Sequence, residues 1–380
     1  MPDLSRRDLA ELARAAGLAV VGVTNAQPFE REHAFISDHI ERGHTRGMDW
    51  FTAERAGQSA DPRTLHPEVR SIISVGVPFW AGRMEPPDDG VLRGRIARYA
   101  WGRDYHKVLR KRMERFVGLL TTQLGRTVEA RKLADTARAF DRAIAARSGA
   151  GWFGKNSMII VPGHGSWVML GELYLDLELV PDLPLERNCG RCTICIERCP
   201  TAAIVAPYRI DAPRCISYLT IEERGPIDRE LRPLMGAWVF GCDVCQDVCP
   251  YTNAARETPD PDFRPASVDN AFPSLELLAT MDHATYVQHF AGTAVTRARR
   301  RGLARNAAIA LGNSGDARAE PILGKMLLEH DEPLARGHAA WGLAQLLGVP
   351  ARSYLERCQT RETSPLVIDE IRFALREVLA

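Results

Sequence analysis

Apolar residues at Leu4, Leu9, Leu12 and Ala16 recur at helical spacing and stop at Gly17, which predicts an amphipathic helix over residues 4–16. The apolar run 18–23 is short enough to be a buried strand. Further on, the pattern predicts a helix over about 30–42 ended by Gly43, a strand over 69–77 ended by Pro78, and a long basic helix over 103–124. A weak strand closes at Leu133, a helix covers 137–147, and strands follow at 158–161 and 167–177. Helices and strands alternate, so residues 1–178 read as an α/β domain.

Residues 179–184, with two prolines, read as a linker into a cysteine-rich segment that runs to about 255, and 256–295 as an irregular connector. Beyond it, Arg305-Asn306-Ala307-Ala308-Ile309-Ala310-Leu311-Gly312 returns about 31 residues later as Arg336-Gly337-His338-Ala339-Ala340-Trp341-Gly342-Leu343. Paired helices at that period predict a short HEAT-like array over 296–380. The chain is therefore expected to be a multidomain α/β (α+β) protein with a helical end.

With 380 residues, 45% of them hydrophobic, there is ample material for a sizeable core. No stretch reaches the roughly 20 apolar residues of a membrane span. Asp8, Glu11 and Arg14 interrupt the run after Ser5-Arg6-Arg7, so that start is not an export signal, and a cytoplasmic protein is expected. The net charge of +1 hides two basic islands. Residues 93–115 hold nine Arg and Lys against Asp104 and Glu114, and residues 297–305 hold five arginines and no acid. Local positive charge of this kind suits a polyanionic partner, although either island could also be a solvated helix face.

The cysteines change the picture most. Cys189-x2-Cys192-x2-Cys195-x3-Cys199-Pro200 has the bacterial ferredoxin spacing, and Cys242-x2-Cys245-x3-Cys249-Pro250 is one ligand short of a second set. Cys215 lies between them to complete it, and Cys358 remains as an ordinary thiol. By the crossover rule, Cys189, Cys192, Cys195 and Cys249 hold one [4Fe-4S] cluster, and Cys199, Cys215, Cys242 and Cys245 the other. Zinc prefers two separated pairs, and disulfides need an oxidising compartment, so both readings fit this interlocked pattern less well. Two clusters make an electron wire, which predicts a substrate-converting centre in the first domain. Gly149-x-Gly151-x-x-Gly154 follows a helix and precedes a strand, the reverse of a dinucleotide-binding turn. Its backbone beside Trp152 and Asn156 suits instead a large, flat, amide-rimmed ligand.

Four segments carry a resemblance: Gly151-Trp152-Phe153-Gly154-Lys155-Asn156, Arg98-Tyr99-Ala100-x-Gly102-x-Asp104-Tyr105-His106, Arg214-Cys215-Ile216-Ser217-Tyr218-Leu219-Thr220-Ile221-Glu222, and Phe240-Gly241-Cys242-Asp243-x-Cys245-Gln246-x-Val248-Cys249-Pro250. Together they resemble the epoxyqueuosine reductase family, over nearly the full chain from Gly47-Met48-Asp49-Trp50 onward. The resemblance implies a cobalamin-dependent enzyme with two [4Fe-4S] clusters that reduces epoxyqueuosine to queuosine at the wobble position of tRNA. It also implies a nitroreductase-like cobalamin domain akin to that of reductive dehalogenases, a ferredoxin-like domain and a HEAT-like end.

The family's proton donor maps to Asp135 in Ala134-Asp135-Thr136-Ala137-Arg138, where Arg138 replaces the usual proline. On residue type alone, Asp135 could equally be a helix N-cap. Arg98, Tyr105, His106, Trp152, Gly154, Lys155, Asn156, Ser217, Tyr218 and Glu222 are the expected cobalamin contacts, with packing or helix-start roles as the alternative. Arg297, Arg299, Arg300, Arg301 and Arg305 are the expected tRNA contacts. The electron donor would be a flavodoxin or ferredoxin system. Rival readings are a dehalogenase-like reductase of a small molecule and a non-catalytic electron-transfer adaptor.

Overall fold

Strand β2 (Ser71–Pro78) is buried along almost its whole length, as its unbroken run of small and apolar residues predicts. The computed structural model describes residues 4–135 and 138–378. In it, β1 (Val20–Asn25), β2, β3 (Ala130–Leu133) and β4 (Val168–Leu175) form one sheet in the order β1-β2-β4-β3. Every neighbouring pair is antiparallel. Alternation of helices and strands predicted an α/β domain; the antiparallel sheet makes this part α+β. Periodicity determines which element forms, but strand direction depends on where each connection returns the chain.

Around this sheet the chain gathers into a first compact unit of residues 1–82, 103–212 and 244–264. A second comprises 83–102, 213–243 and 265–380. The units interleave, so the linear boundaries at 178 and 255 do not coincide with them.

In the first unit, helix α1 (Arg6–Ala15) starts from a Ser5–Asp8 capping box and buries Leu9 and Ala13. Helix α2 (Tyr105–Leu124) is capped by Asp104 and buries Tyr105, Val108, Leu109, Met113, Phe116 and Leu120 along one stripe. Helix α3 (Asp141–Arg147) is shorter than predicted: residues 138–140 are not helical, and 136–137 lie outside the described residues. Ala143 and Ile144 of α3 pack with Ile72, Leu133 and Tyr174 from the sheet. Ile72 is wholly buried (0%), worth about 2 kcal/mol relative to leaving it exposed. The glycine-rich turn contains a strand of its own, Trp152–Phe153, paired with Ile159–Ile160.

In the second unit a parallel ribbon pairs Arg95–Ile96 with Trp238–Phe240. The chain ends in five helices, α4 (Arg299–Asn313), α5 (Ala319–Glu329), α6 (Pro333–Leu347), α7 (Arg352–Gln359) and α8 (Pro365–Glu377). The repeated segments fall on α4 and α6, which pack so closely that a Cβ on Gly312 would lie 2.7 Å from Gly342 Cα. No described helix is long and apolar enough to cross a membrane.

Candidate functional site

Asp135 lies two residues beyond β3, with φ of 47°, a left-handed conformation that Asp tolerates better than most residues. Tyr105, in the first turn of α2, donates its hydroxyl to Asp135 Oδ2 at 2.5 Å. His106 Nε2 stands 3.4 Å from the same oxygen, at ion-pair distance but short of a well-formed hydrogen bond. Asp104 caps α2 and holds His106 Nδ1 at 2.8 Å, which turns Nε2 toward Asp135. The Tyr105 and His106 rings stack with centroids 4.1 Å apart. One helix start therefore delivers a hydroxyl donor and an imidazole to one carboxylate, the imidazole Nε2 buried and without a formed hydrogen bond.

The Asp135 side chain keeps 58% of its accessible surface although walls of protein surround it. Desolvation by those walls pushes its carboxyl up, but the nearby His106 imidazole and the Tyr105 hydroxyl outweigh that and hold it below its ordinary value. His106 moves the other way. The Asp135 carboxylate beside it raises its pKa, against desolvation, and Asp104 adds to the rise. The imidazole thus keeps its proton to higher pH than a free histidine would, one transfer from Asp135.

Cys189, Cys192, Cys195 and Cys249 line one cavity of about 180 Å³. Burial, then the neighbouring thiols of Cys189, Cys249 and Cys192, push the Cys195 thiol up. Among the described residues, no group of three His, Cys, Asp or Glu side chains closes on a point where a single ion would sit. Four cysteines around a space of this size fit a polynuclear cluster.

Gly154, Lys155 and Asn156 line the same cavity. Lys155 Nζ donates to Gly190 O at 2.8 Å and Asn156 Nδ2 to Cys245 O at 3.3 Å, so both side chains brace the cysteine loops. Trp152 is buried, edge-on to Tyr251 at 5.1 Å. These four of the ten residues expected to contact cobalamin thus border the cluster cavity or pack beside it. Elsewhere in this unit, Cys199 Sγ accepts from Ala203 N at 3.3 Å.

Several expected contacts are committed elsewhere in the second unit. Arg98 is buried in an ion pair with Asp243 at 2.9 Å, and its backbone N–H donates to the same carboxylate. It secures the residue after Cys242. Glu222 gives both oxygens to Arg297, at 2.8 and 2.9 Å, and so is a partner of the basic island. Tyr218 is buried with its hydroxyl 3.3 Å from Glu223, and Ser217 is half-buried, its carbonyl accepting from Thr220.

Arg305 is a clear correction to the expected tRNA contacts. It is 0% exposed and donates to the backbone carbonyls of Leu219, Glu223 and Gly225 and to Asn306 Oδ1. Desolvation pushes its pKa down to about 9. Arg300 is held by Asp331 and Glu332, with 15% of its side chain exposed. Arg299 and Arg301 make no ion pair with any described residue and are, respectively, exposed and half-buried. The first island is partly neutralised: Arg93 pairs with Asp89 and Asp269, Arg95 with Glu85, and Arg112 with Asp260 and Asp262, while Lys107, Arg110, Lys111 and Arg115 stay exposed.

Two residues that motif reading missed stand near Asp135. Glu172, in the middle of β4, is 0% exposed, and Asp141 opens α3. Burial, then the charge of Asp135, push Asp141 up to about 7; burial, then Asp141, push Glu172 well up. A lone acid inside the apolar run 167–175 was the available signal, because an unpaired carboxylate is rarely buried.

Comparison with known proteins fits this arrangement. A family model described as "Epoxyqueuosine reductase QueG, DUF1730" matches residues 60–136, and one described as "4Fe-4S double cluster binding domain" matches 188–252. The epoxyqueuosine reductase of Xanthomonas campestris pv. campestris is 38% identical over 88% of this chain and 94% of its own. That of Escherichia coli (strain K12) is 37% identical over 87% and 86%. A crystal structure of epoxyqueuosine reductase with a tRNA-Tyr epoxyqueuosine-modified stem loop superposes with a TM-score of 0.91 at 29% identity, covering 99% of both chains. The Bacillus subtilis enzyme, in a structure described by an aspartate catalytic loop swung out of the active site, gives 0.89 at 29% identity over 98% of both.

Proposed function

The chain belongs to the epoxyqueuosine reductase family, and we propose that it reduces the epoxide of epoxyqueuosine to queuosine at the wobble position of tRNA, with Asp135 as the proton donor. The observation that carries this reading is the Tyr105–Asp135–His106 cluster, which holds a transferable proton beside an accessible carboxylate. Removing an epoxide oxygen as water takes two electrons and two protons, and a carboxyl in hydrogen-bond reach of that oxygen can deliver a proton. Tyr105 and Asp104 keep Asp135 and His106 in place before substrate arrives.

Cys189, Cys192, Cys195 and Cys249 hold one [4Fe-4S] cluster in the cavity they line. Cys199, Cys215, Cys242 and Cys245 hold the second, on the ferredoxin spacing and the double-cluster family match. Trp152 Nε1, Ser157 Oγ and His164 Nδ1 are buried with no hydrogen-bond partner among the described residues. A cofactor rimmed with amides would satisfy them, so these residues fit cobalamin and would help to hold it. Cobalamin, when bound, supplies the strongly reducing cobalt that breaks the carbon–oxygen bonds. A small soluble electron donor of flavodoxin or ferredoxin type feeds the clusters in the cytoplasm.

Arg299 and Arg301 are the arginines best placed to take tRNA phosphates; Arg297 and Arg300 contribute less because acids hold them. The paired C-terminal helices serve as a HEAT-like support for that surface.

The deciding experiment is anaerobic single-turnover reduction of epoxyqueuosine-containing tRNA by the cobalamin-loaded protein, read by mass spectrometry of nucleosides, with Asp135→Ala alongside. Queuosine from the parent protein alone is the expected result. No queuosine from a parent with intact clusters, bound cobalamin and a competent reductant would overturn the reading.

A further inference from the structure

Glu172 is wholly buried, Asp141 is half-buried with its Oδ1 buried, and neither makes an ion pair with a described residue. Strand register sets Glu172 opposite Ser74 of β2 on one side and Leu133 of β3 on the other, and Leu133 is two residues before Asp135. Both Glu172 oxygens, Asp141 Oδ1, Ser74 Oγ and Tyr174 Oη are buried and have no hydrogen-bond partner among the described residues. Unpaired ionised carboxylates are too costly in such a place, and two of them repel, so the pair is satisfied only by a shared proton.

The groups facing the pair come from every neighbouring element. They are Asp135 from the loop after β3, Arg142 and Arg147 from α3, Tyr174 from β4 and Ser74 from β2. Neither arginine neutralises the carboxyls: Arg142 donates to Ser157 O at 2.8 Å, and Arg147 to the Thr24 hydroxyl at 3.0 Å and to the carbonyls of Asn25 and Gln27. The charge of Asp135 acts on both members of the pair and favours their protonated form. A purely structural glutamate in a sheet interior would be expected to have a donor, and this one has none.

We propose that Asp141 and Glu172 form a proton store behind Asp135 that supplies the second proton of the reduction. The inference rests on the proposed epoxide reduction, because only a reaction that consumes two protons gives the store this task. The balance is closed by groups already named. Two carbon–oxygen bonds break, two electrons arrive from the reduced iron–sulfur and cobalt centres, and the oxygen leaves as water carrying two protons. The first proton leaves the Asp135–His106 pair. The Asp141–Glu172 pair returns one to Asp135, becomes more negative by one charge, and is reloaded from solvent after product release. Asp141 and Glu172 are thus proton-supplying residues that act through Asp135 and touch no reacting atom.

Two measurements on the full chain with its clusters test this. Infrared spectroscopy without cobalamin or tRNA should find the carbonyl stretch of a buried protonated carboxylic acid at neutral pH, absent in Glu172→Gln and in Asp141→Asn. In Asp135→Asn the band should titrate at lower pH than in the parent, because a neighbouring negative charge is gone. In single turnover with tRNA, Glu172→Gln should slow queuosine formation about 10²-fold with tRNA affinity unchanged. Should Glu172→Gln fail to fold, Asp141→Asn carries the same readouts. No acid band in the parent at neutral pH, or a folded variant with the parent's rate and pH profile, overturns the store. A parent that shows the band and its dependence on Asp135 but yields no queuosine overturns the reaction and the relay, and leaves the shared proton standing.

Discussion

Tyr105 Oη donates to Asp135 Oδ2 at 2.5 Å, joining the first turn of α2 to a left-handed residue just beyond β3. The phenol steadies the carboxylate, and the imidazole of His106, the next residue, stands 3.4 Å from the same oxygen.

The pH dependence of single turnover should follow His106. Its pKa is raised above the ordinary value, chiefly by Asp135, so the pair keeps its proton below that raised value and loses it as pH rises through it. The rate is therefore expected to fall on the alkaline side. His106→Gln should remove that limb and lower the rate about tenfold or more. Tyr105→Phe removes a hydrogen bond that favours the carboxylate, so Asp135 should titrate at higher pH. An unaltered profile in His106→Gln would show that the proton comes from elsewhere.

Folding stability should depend on pH through Glu172 and Asp141. Both have folded-state pKa values above those of an unfolded chain, so the folded protein binds more protons than the unfolded one from mildly acidic pH upward. Stability then falls as pH rises from the ordinary carboxylate range through the raised values. Glu172→Gln should recover about 2 kcal/mol at mildly alkaline pH and little at acidic pH, measured by anaerobic denaturant unfolding. Equal destabilisation of the variant at every pH would contradict the buried-proton picture.

The arginines of the 297–305 island should separate into two classes. Arg305→Ala leaves three buried backbone carbonyls without donors and should cost about 3 kcal/mol of stability. Arg299→Ala and Arg301→Ala should leave the melting temperature unchanged and each lower the salt dependence of tRNA binding by about one counterion. Salt-titrated binding and thermal unfolding of the same variants check both halves. Unchanged binding with Arg299 and Arg301 both replaced would remove this surface from the tRNA path.

Cysteine replacement should be selective. Cys249→Ser takes one ligand from the cavity shared with Cys189, Cys192 and Cys195 and should cost about half the iron. Cys358→Ser should cost none, because its thiol is buried against Leu327 O at 3.6 Å. Full iron in anaerobically purified Cys249→Ser would undo the ligand assignment.

Cysteine spacing, helix stripes and repeat period were legible in the chain because each is a local pattern. Three cysteines at two-residue gaps and a fourth before proline announce a cluster, and the stripe from Tyr105 to Leu120 announces α2 and the face that anchors it. What the chain could not disclose depends on partners distant in sequence. Arg305 and Arg299 belong to one basic run, yet carbonyls about 80 to 86 residues away bury the first, while no described acid pairs with the second. Strand direction made the sheet antiparallel, Glu222 was claimed by Arg297, and Gly154 to Asn156 came to line the cluster cavity. Glu172 appeared in sequence as one acid in an apolar strand; only folding set it against Asp141 and near Asp135. A charge is defined by residue type, but its pKa and its task depend on which groups the tertiary structure places against it and how far it excludes water.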